Sequence, residues 1–443
     1  MVNRVSQIVA RRFPDSRAVL VIGGVPIRVL AEAYGTPFFV YDRAIFDAQV
    51  EALRAALPTR FRLFYSIKAN PHPAVVKNFL LQGCGLEVAS AGEFRTALEA
   101  GCSPNEVLFA GPGKTEAELE FALSRGIGEI HLESLLEAKR VASIARRLGV
   151  GARVAIRVNP AGEAEGGAMR MGGRPAPFGI DEEMLEAAIA ATSREPELDF
   201  TGIHLFAGTQ ILDADTLISQ YRHGLDIARR AAGFAKRSPR TLDFGGGLGI
   251  PYFAHEEQLD LARLREGLES LFSEIQGDPV FAQTRFLVEP GRFLTAEAGV
   301  YVTRVNDVKV SRGKKFLVVD GGMNHHLAAS GNLGQAIKRN YPVALLGKLD
   351  CPNTERVDVV GPLCTPLDTV ARNVDLPQGE VGDLFGIFQS GAYGRSASPL
   401  GFLSHPAPPE IWVDAGKHIL VTERGSIAAG IGDSYPALAT INR

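Results

Sequence analysis

The chain has 443 residues, 46% of them hydrophobic and 22% charged, the balance of a folded globular protein with more than one core. A formal net charge of −3 gives no electrostatic footprint for nucleic acid or an anionic membrane. Cys84, Cys102, Cys351 and Cys364 are scattered without a C-x-x-C pair or zinc spacing, so no metal site is expected and a reducing compartment is. The opening residues MVNRVSQIVARRFPDS are too broken by charge for a signal-peptide core, and no apolar run reaches membrane-spanning length. The expectation is a cytoplasmic protein.

In chain order, AVLVIGGVPIRVL (18–30) is strand-like and precedes the main pattern. From 36 to about 288, short apolar runs alternate with stretches of helical period. PFFVYD (37–42) reads as a strand and FDAQVEALRAAL (46–57) as an amphipathic helix. RLFYSI (62–67) is a strand, followed by the helix PAVVKNFLLQG, which Gly83 closes. GLEVAS, EVLFAG, EIHLE, RVAIRVNP, TGIHLFAG, TLDFGGG and RFLVEPG are further strands, with helical stretches such as KTEAELEFALSRG between them.

Strands regularly separated by helices imply a parallel sheet. About eight such units close naturally into a (β/α)8 barrel with its site at the C-terminal strand ends. An open doubly wound sheet also fits the pattern. The barrel is expected over 36–295. After about 296, GVYVTRVNDVKVS, KKFLVVDGG, ERVDVVGPL, LFGIFQSG and PPEIWVD are β-rich runs between turn residues, an all-β domain that residues 1–35 complete. AGEAEGGAMRMGGRPAP (161–177) has the glycine and proline content of a loop or lid.

The candidate chemistry gathers at strand ends. In FYSIKANP, Lys68 follows a hydrophobic strand, and partial desolvation there would free its amine for Schiff-base chemistry. The ordinary fate of such a lysine is a solvated surface position. DFGGGLG (243–249) places Gly246 and Gly247 where backbone N–H groups can close on an anion. EPGRFL (289–294) adds Gly291 and Arg292, and GTQ (208–210) adds the hydroxyl of Thr209. Each alone is a tight turn, but three such corners on neighbouring strands suit a phosphate.

From 36 to 394 an ordered series of motifs appears: TPFFVYD, YSIKANP, EVASAGE, RVNP, FGI, HLFAGTQ, GGGLG, EPGR, DGGMN, GPLCTPLD and SGAYG. In these the chain resembles the fold-type III pyridoxal-phosphate decarboxylases, which include diaminopimelate, arginine and ornithine decarboxylases. The resemblance implies an alanine racemase-like barrel, a C-terminal β domain, pyridoxal 5'-phosphate as cofactor and a homodimer with shared sites. On it, Lys68 would carry the cofactor as a Schiff base and Glu289 would face the pyridine nitrogen. Gly246, Gly247, Gly291, Arg292, Thr209 and Tyr393 would hold the phosphate, and Arg157 would support the ring side. Glu87 stands where relatives often have aspartate near the lysine. Cys364 of the partner subunit would return a proton to the substrate carbon.

Three departures bear on substrate. Phe206 occupies the place of the histidine that usually stacks on the cofactor ring; His204, two residues earlier, shares its strand face and is assigned to the substrate side. Thr365 follows Cys364 where diaminopimelate decarboxylases carry the glutamate that recognises the distal amine, leaving Asp368 as the acid of that loop. DGGMNHHLAASGNLG lacks the arginine and tyrosine that commonly grip a distal carboxylate. Removing such charges changes what fits. FLSHPAPPEIWV and MRMGG…FGI resemble the subgroup that decarboxylates glutamyl- or aspartyl-type groups tethered to an acyl carrier protein. The expected activity is therefore decarboxylation of an amino acid or aminoacyl group, with diaminopimelate decarboxylase and a non-catalytic decarboxylase-like regulator as the alternatives. A racemase would share the barrel and lysine but not GPLC or SGAY.

Overall fold

A computed structural model describes residues 4–161, 169–170, 175–206, 208–333, 335 and 338–426. The chain divides into a first unit of Gln49–Pro251 and Glu257–Phe293, and a second unit formed by the chain on either side together with Tyr252–Glu256.

The first unit is a closed barrel of eight parallel strands: β1 (Phe61–Ser66), β2 (Gly85–Val88), β3 (Val107–Phe109), β4 (Glu129–Leu132), β5 (Ala152–Asn159), β6 (Leu198–Leu205), β7 (Thr241–Asp243) and β8 (Arg285–Val288). The ring closes because β8 pairs with β1 through Phe286 and Phe61, while β4 pairs with β5 through Ile130 and Val154. Helices return the chain between strands, and their starts carry oxygen caps. Ser90 and Ser134 accept from the third residue on, Thr115 and Glu118 form a reciprocal box, and Asp213 and Asp260 cap two of the longer helices. Outside the strands, Phe61, Phe244 and Phe286 pack with Tyr221 and Phe272 of the covering helices. Burial of each such ring contributes about 1.5–3 kcal/mol.

The second unit is built on the long strand Gly299–Ser311, which pairs antiparallel with Lys314–Val319, Leu384–Ile387 and Phe38–Asp42. Phe38–Asp42 also pairs, in parallel, with Glu410–Asp414. PFFVYD is therefore a strand of the β sheet and not of the barrel, and the units divide at 48/49 and 293/294 rather than at 36 and 295. Every residue of this strand is buried, and a run buried on both faces reads alike in a barrel and in a sheet centre. The segment 18–30 is a two-residue hairpin, Val21–Ile22 with Val25–Pro26, then the helix Ile27–Tyr34; Leu20 N–H donates to Leu346, within the second unit.

Most of 161–177 lies outside the described residues; Met169–Arg170 pairs antiparallel with Gly208–Thr209. Among the described residues no helix is long and apolar enough to cross a membrane.

Candidate active site

The C-terminal ends of the barrel strands converge on Lys68. After β1 the chain makes a single 3-10 turn, Ile67–Ala69, which leaves Lys68 41% exposed with its Nζ 3.0 and 3.1 Å from the two oxygens of Glu87. The desolvation expected of this lysine is not what the structure shows; its amine is held by a charge. Glu87, at the middle of β2, is buried and also accepts from Ser66.

The three glycine corners are neighbours. Glu289 N–H donates to Gly245 at 2.7 Å, joining EPGR to the GGG turn, and Ile211 N–H donates to Gly247 at 2.9 Å, joining that turn to GTQ. Gly247 has φ +97°, and a Cβ there would lie 2.7 Å from the Gly208 carbonyl; one on Gly246 would lie 2.5 Å from that of Glu289. A Cβ on Gly291 would meet the side chains of Ala69 and Ser66, so the EPGR corner lies against the Lys68 turn. Thr209, Gly246, Gly247, Gly291 and Arg292 are all half-buried around this cradle.

On the other side Arg157 of β5 is buried and donates to Glu133 at 2.7 Å. Its guanidinium also lies 5.2 Å from the ring of Phe178 and 5.8 Å from that of Phe206, a cation between aromatic faces. Glu133 takes N–H bonds from Gly111 and Gly179 as well, which fastens the FGI corner to β4. Burial pushes its carboxyl up, but Arg157, Lys114 and the hydrogen bonds outweigh it and hold the group below the usual carboxylate range.

His204 is not on the substrate side. It is buried, its ring stacks on His131 at 4.2 Å, and its Nε2 lies 3.4 Å from Glu289. Burial holds it well below the usual histidine range, so it is a neutral ring. Asp243 lies beside Glu289, and burial, then that neighbouring carboxylate, pushes it well above the usual range. Sequence reasoning missed Glu129, His131, Glu133 and Asp243. The signal was present in EIHLE, where three ionisable residues alternate along one strand and so share one face.

The second unit holds the remaining predicted residues. Cys364 is exposed on the GPLCTPLD loop, which excludes a buried apolar cysteine. Thr365 is half-buried, and its hydroxyl accepts from Leu367 N–H within the loop. Asp368 is not available to a substrate: it is buried, and its two oxygens accept from Met323 N–H at 2.6 Å and Leu363 N–H at 2.9 Å. It ties the DGGMN loop to the cysteine loop. Tyr393 is half-buried on the loop after Leu384–Ile387 with φ +52°, and Gln389 nearby has φ +56°. Left-handed backbone at such residues costs about 1–3 kcal/mol each and collects at functional loops.

Comparison with known proteins agrees with this architecture. Residues 43–296 match the family described as pyridoxal-dependent decarboxylase, pyridoxal binding domain. Over 403 residues the chain is 39% identical to the L-glutamyl-[BtrI acyl-carrier protein] decarboxylase of Niallia circulans, covering 90% of this chain and 94% of that one. It is 33% identical to the diaminopimelate decarboxylase of Methanothermobacter thermautotrophicus, covering 96% and 99%. The crystal structure of Helicobacter pylori diaminopimelate decarboxylase with L-lysine superposes with a TM-score of 0.82 at 28% identity, covering 91% of this chain and 98% of that one. The chain belongs to the pyridoxal-dependent decarboxylases, the carboxy-lyases that use pyridoxal 5'-phosphate.

Proposed function

We propose that this decarboxylase acts on an aminoacyl group of glutamyl or aspartyl type, held on an acyl carrier protein, rather than on free diaminopimelate. The observation that carries the reading is the cysteine loop. Its only acid, Asp368, spends both oxygens on backbone N–H groups, and the residue after Cys364 is the uncharged Thr365. That loop offers no carboxylate to a distal amine. A substrate whose far end is a neutral thioester needs none. The likeness to a relative named for a carrier-bound glutamyl group supports the same reading.

The barrel suits the cofactor. A cradle of backbone at Gly246, Gly247 and Gly291, with Arg292 and Thr209 beside it, is a seat for a phosphate. The buried Oε1 of Glu289 has no hydrogen-bond partner and suits a protonated ring nitrogen. When bound, pyridoxal phosphate supplies the sink for the electron pair left as the α-carboxylate departs as carbon dioxide.

The chain's residues do the rest. Lys68 would attach the cofactor through Nζ, with Glu87 holding that amine in place. Glu289 would keep the ring nitrogen charged, Phe206 would offer an aromatic face to the ring, and Arg157, beside Phe178 and Phe206, would support it. Cys364 of the partner subunit holds on its Sγ the proton that returns to the α-carbon, so the active form is a homodimer.

The test is carbon dioxide release from glutamyl-loaded carrier protein, free glutamate and diaminopimelate, each followed by the mass of the product. Turnover of the carrier-bound substrate far above both free amino acids is expected. Equal or faster turnover of diaminopimelate refutes the assignment.

A further inference from the structure

Beneath Glu289 the barrel holds a line of buried polar groups that the reaction as described does not use. Thr241, the first residue of β7, donates to Glu129 Oε2 at 2.9 Å, and Glu129 begins β4. Two residues on, on the same strand face, His131 places Nε2 3.2 Å from Glu129 Oε1 and Nδ1 3.9 Å from Glu289 Oε1. Glu129, His131 and Glu289 are each at most 4% exposed. The carbonyl of His131 is pinned by Lys114 Nζ at 2.9 Å, so the ring cannot shift along the strand.

A buried carboxylate needs a partner, and two of them near one another need one more. His131 stands between the pair. Glu289 therefore meets an imidazole at each oxygen, His131 at Oε1 and His204 at Oε2, but only His131 is itself anchored by a second acid. Both nitrogens of His204 are buried without a hydrogen-bond partner, as are His131 Nδ1, Glu289 Oε1 and Asp243 Oδ2. One ligand atom from each of His131, His204, Asp243 and Glu289 lies within 4.8 Å of the others. Yet the two imidazoles stack with 28° between their planes, and lone pairs lying in nearly parallel planes do not converge on one ion.

We propose that His131, fixed by Glu129, is a positioning residue for Glu289, aiming that carboxylate at the pyridine nitrogen from below. Thr241, Glu129 and His131 then form a support that runs inside the barrel to the cofactor side of the site. Burial pushes Glu129 up, but the hydrogen bond and charge of His131, together with the hydroxyls of Thr201 and Thr241, outweigh it and hold Glu129 below the usual carboxylate range, in keeping with such a pair. The inference rests on the reading that Glu289 meets the ring nitrogen.

The experiment measures the dissociation constant of pyridoxal phosphate beside that of an analogue with carbon in place of the ring nitrogen. Both are bound to the wild-type protein, Glu289→Gln, His131→Gln and Glu129→Gln. The wild type should prefer the natural cofactor and Glu289→Gln should lose that preference. His131→Gln and Glu129→Gln should each cut the preference about tenfold, the scale on which an outer partner of a bound group acts, with affinity for the analogue unchanged. Equal weakening of both ligands, or a preference still at the wild-type value, overturns the role of His131. If Glu289→Gln keeps the preference, the reading of Glu289 fails instead. The wild-type protein provides a readout that needs no variant to fold: the ring-nitrogen resonances of His131 should move on binding the natural cofactor and not the analogue. Unmoved resonances overturn the proposal, as does a stoichiometric metal ion bound at this cluster.

Discussion

Replacing Glu133 with glutamine keeps the side-chain volume and removes one charge from a buried pair. The Glu133 side chain is 3% exposed and that of Arg157 9%, with 2.7 Å between them. Removing one partner of a buried pair costs about 3–5 kcal/mol, because the other charge is left uncompensated. Glu133 also accepts from Gly111 and Gly179, and a glutamine has only one oxygen to offer three donors. A buried donor left unpaired costs about 1–3 kcal/mol, so the sum is about 4–8 kcal/mol. Unfolding followed by tryptophan fluorescence would miss the effect, since the single tryptophan, Trp412, lies in the second unit. Hydrogen exchange of peptides covering β3 to β5 reports the barrel itself. Their protection should fall about a thousandfold or more in Glu133→Gln. Most of the loss should return in Glu133→Gln combined with Arg157→Met, where no charge is stranded. Protection within a factor of about three of wild type in the single variant, or a double variant no better than the single, refutes the reasoning.

Burial holds His325 at about 4 and His326 at about 3, both well below the usual 6.5. Above about pH 6.5 the rings are neutral folded or unfolded and add no slope; below it the unfolded chain takes up protons that the folded state refuses. The second unit should therefore lose about 3 kcal/mol between pH 6.5 and pH 5, read as a falling urea midpoint by Trp412 fluorescence, and a flat midpoint refutes it. Thr365→Glu puts a carboxylate directly after the exposed Cys364 and should raise turnover of diaminopimelate relative to the carrier-bound substrate by about tenfold or more. An unchanged ratio in competition would show that the loop does not select the substrate.

The barrel was legible because each strand is a short apolar run and each return helix has period 3.6, two patterns that do not resemble one another. PFFVYD shows where that logic stops. A strand buried on both faces carries no record of which sheet it joins, and only its pairing with Gly299–Ser311 assigns it to the second unit. At the site, the glycine corners and Lys68 stood out because backbone closeness demands glycine and because a lysine after an apolar strand is conspicuous. His204 and Asp368 were visible as chemistry but misplaced in role. Their partners, His131 in one case and the amide of Met323 in the other, are distant in sequence. Burial and pairing are tertiary facts, and a one-dimensional pattern does not contain them.

The two kinds of position differ in what they rest on, and that bears on how the enzyme divides its tasks. Glu129, His131, His204 and Asp243 are strand residues, and Glu289 follows directly on β8, so their spacing is set by barrel hydrogen bonds. Groups that must hold a charge at one atom of a cofactor need such a mounting, because misplacement by about an ångström is expensive. Cys364 and Thr365 sit instead on a loop held by the carboxylate of Asp368. A loop can be altered without disturbing the sheet beneath it. On the resemblance, Lys68, Glu289 and the glycine corners stand where the family's cofactor residues do, while the departures are Phe206 at the end of β6, GPLCT and the HHLAASG run. On that division, a change of substrate calls for rewriting loops, while the barrel strands keep the charged groups in place.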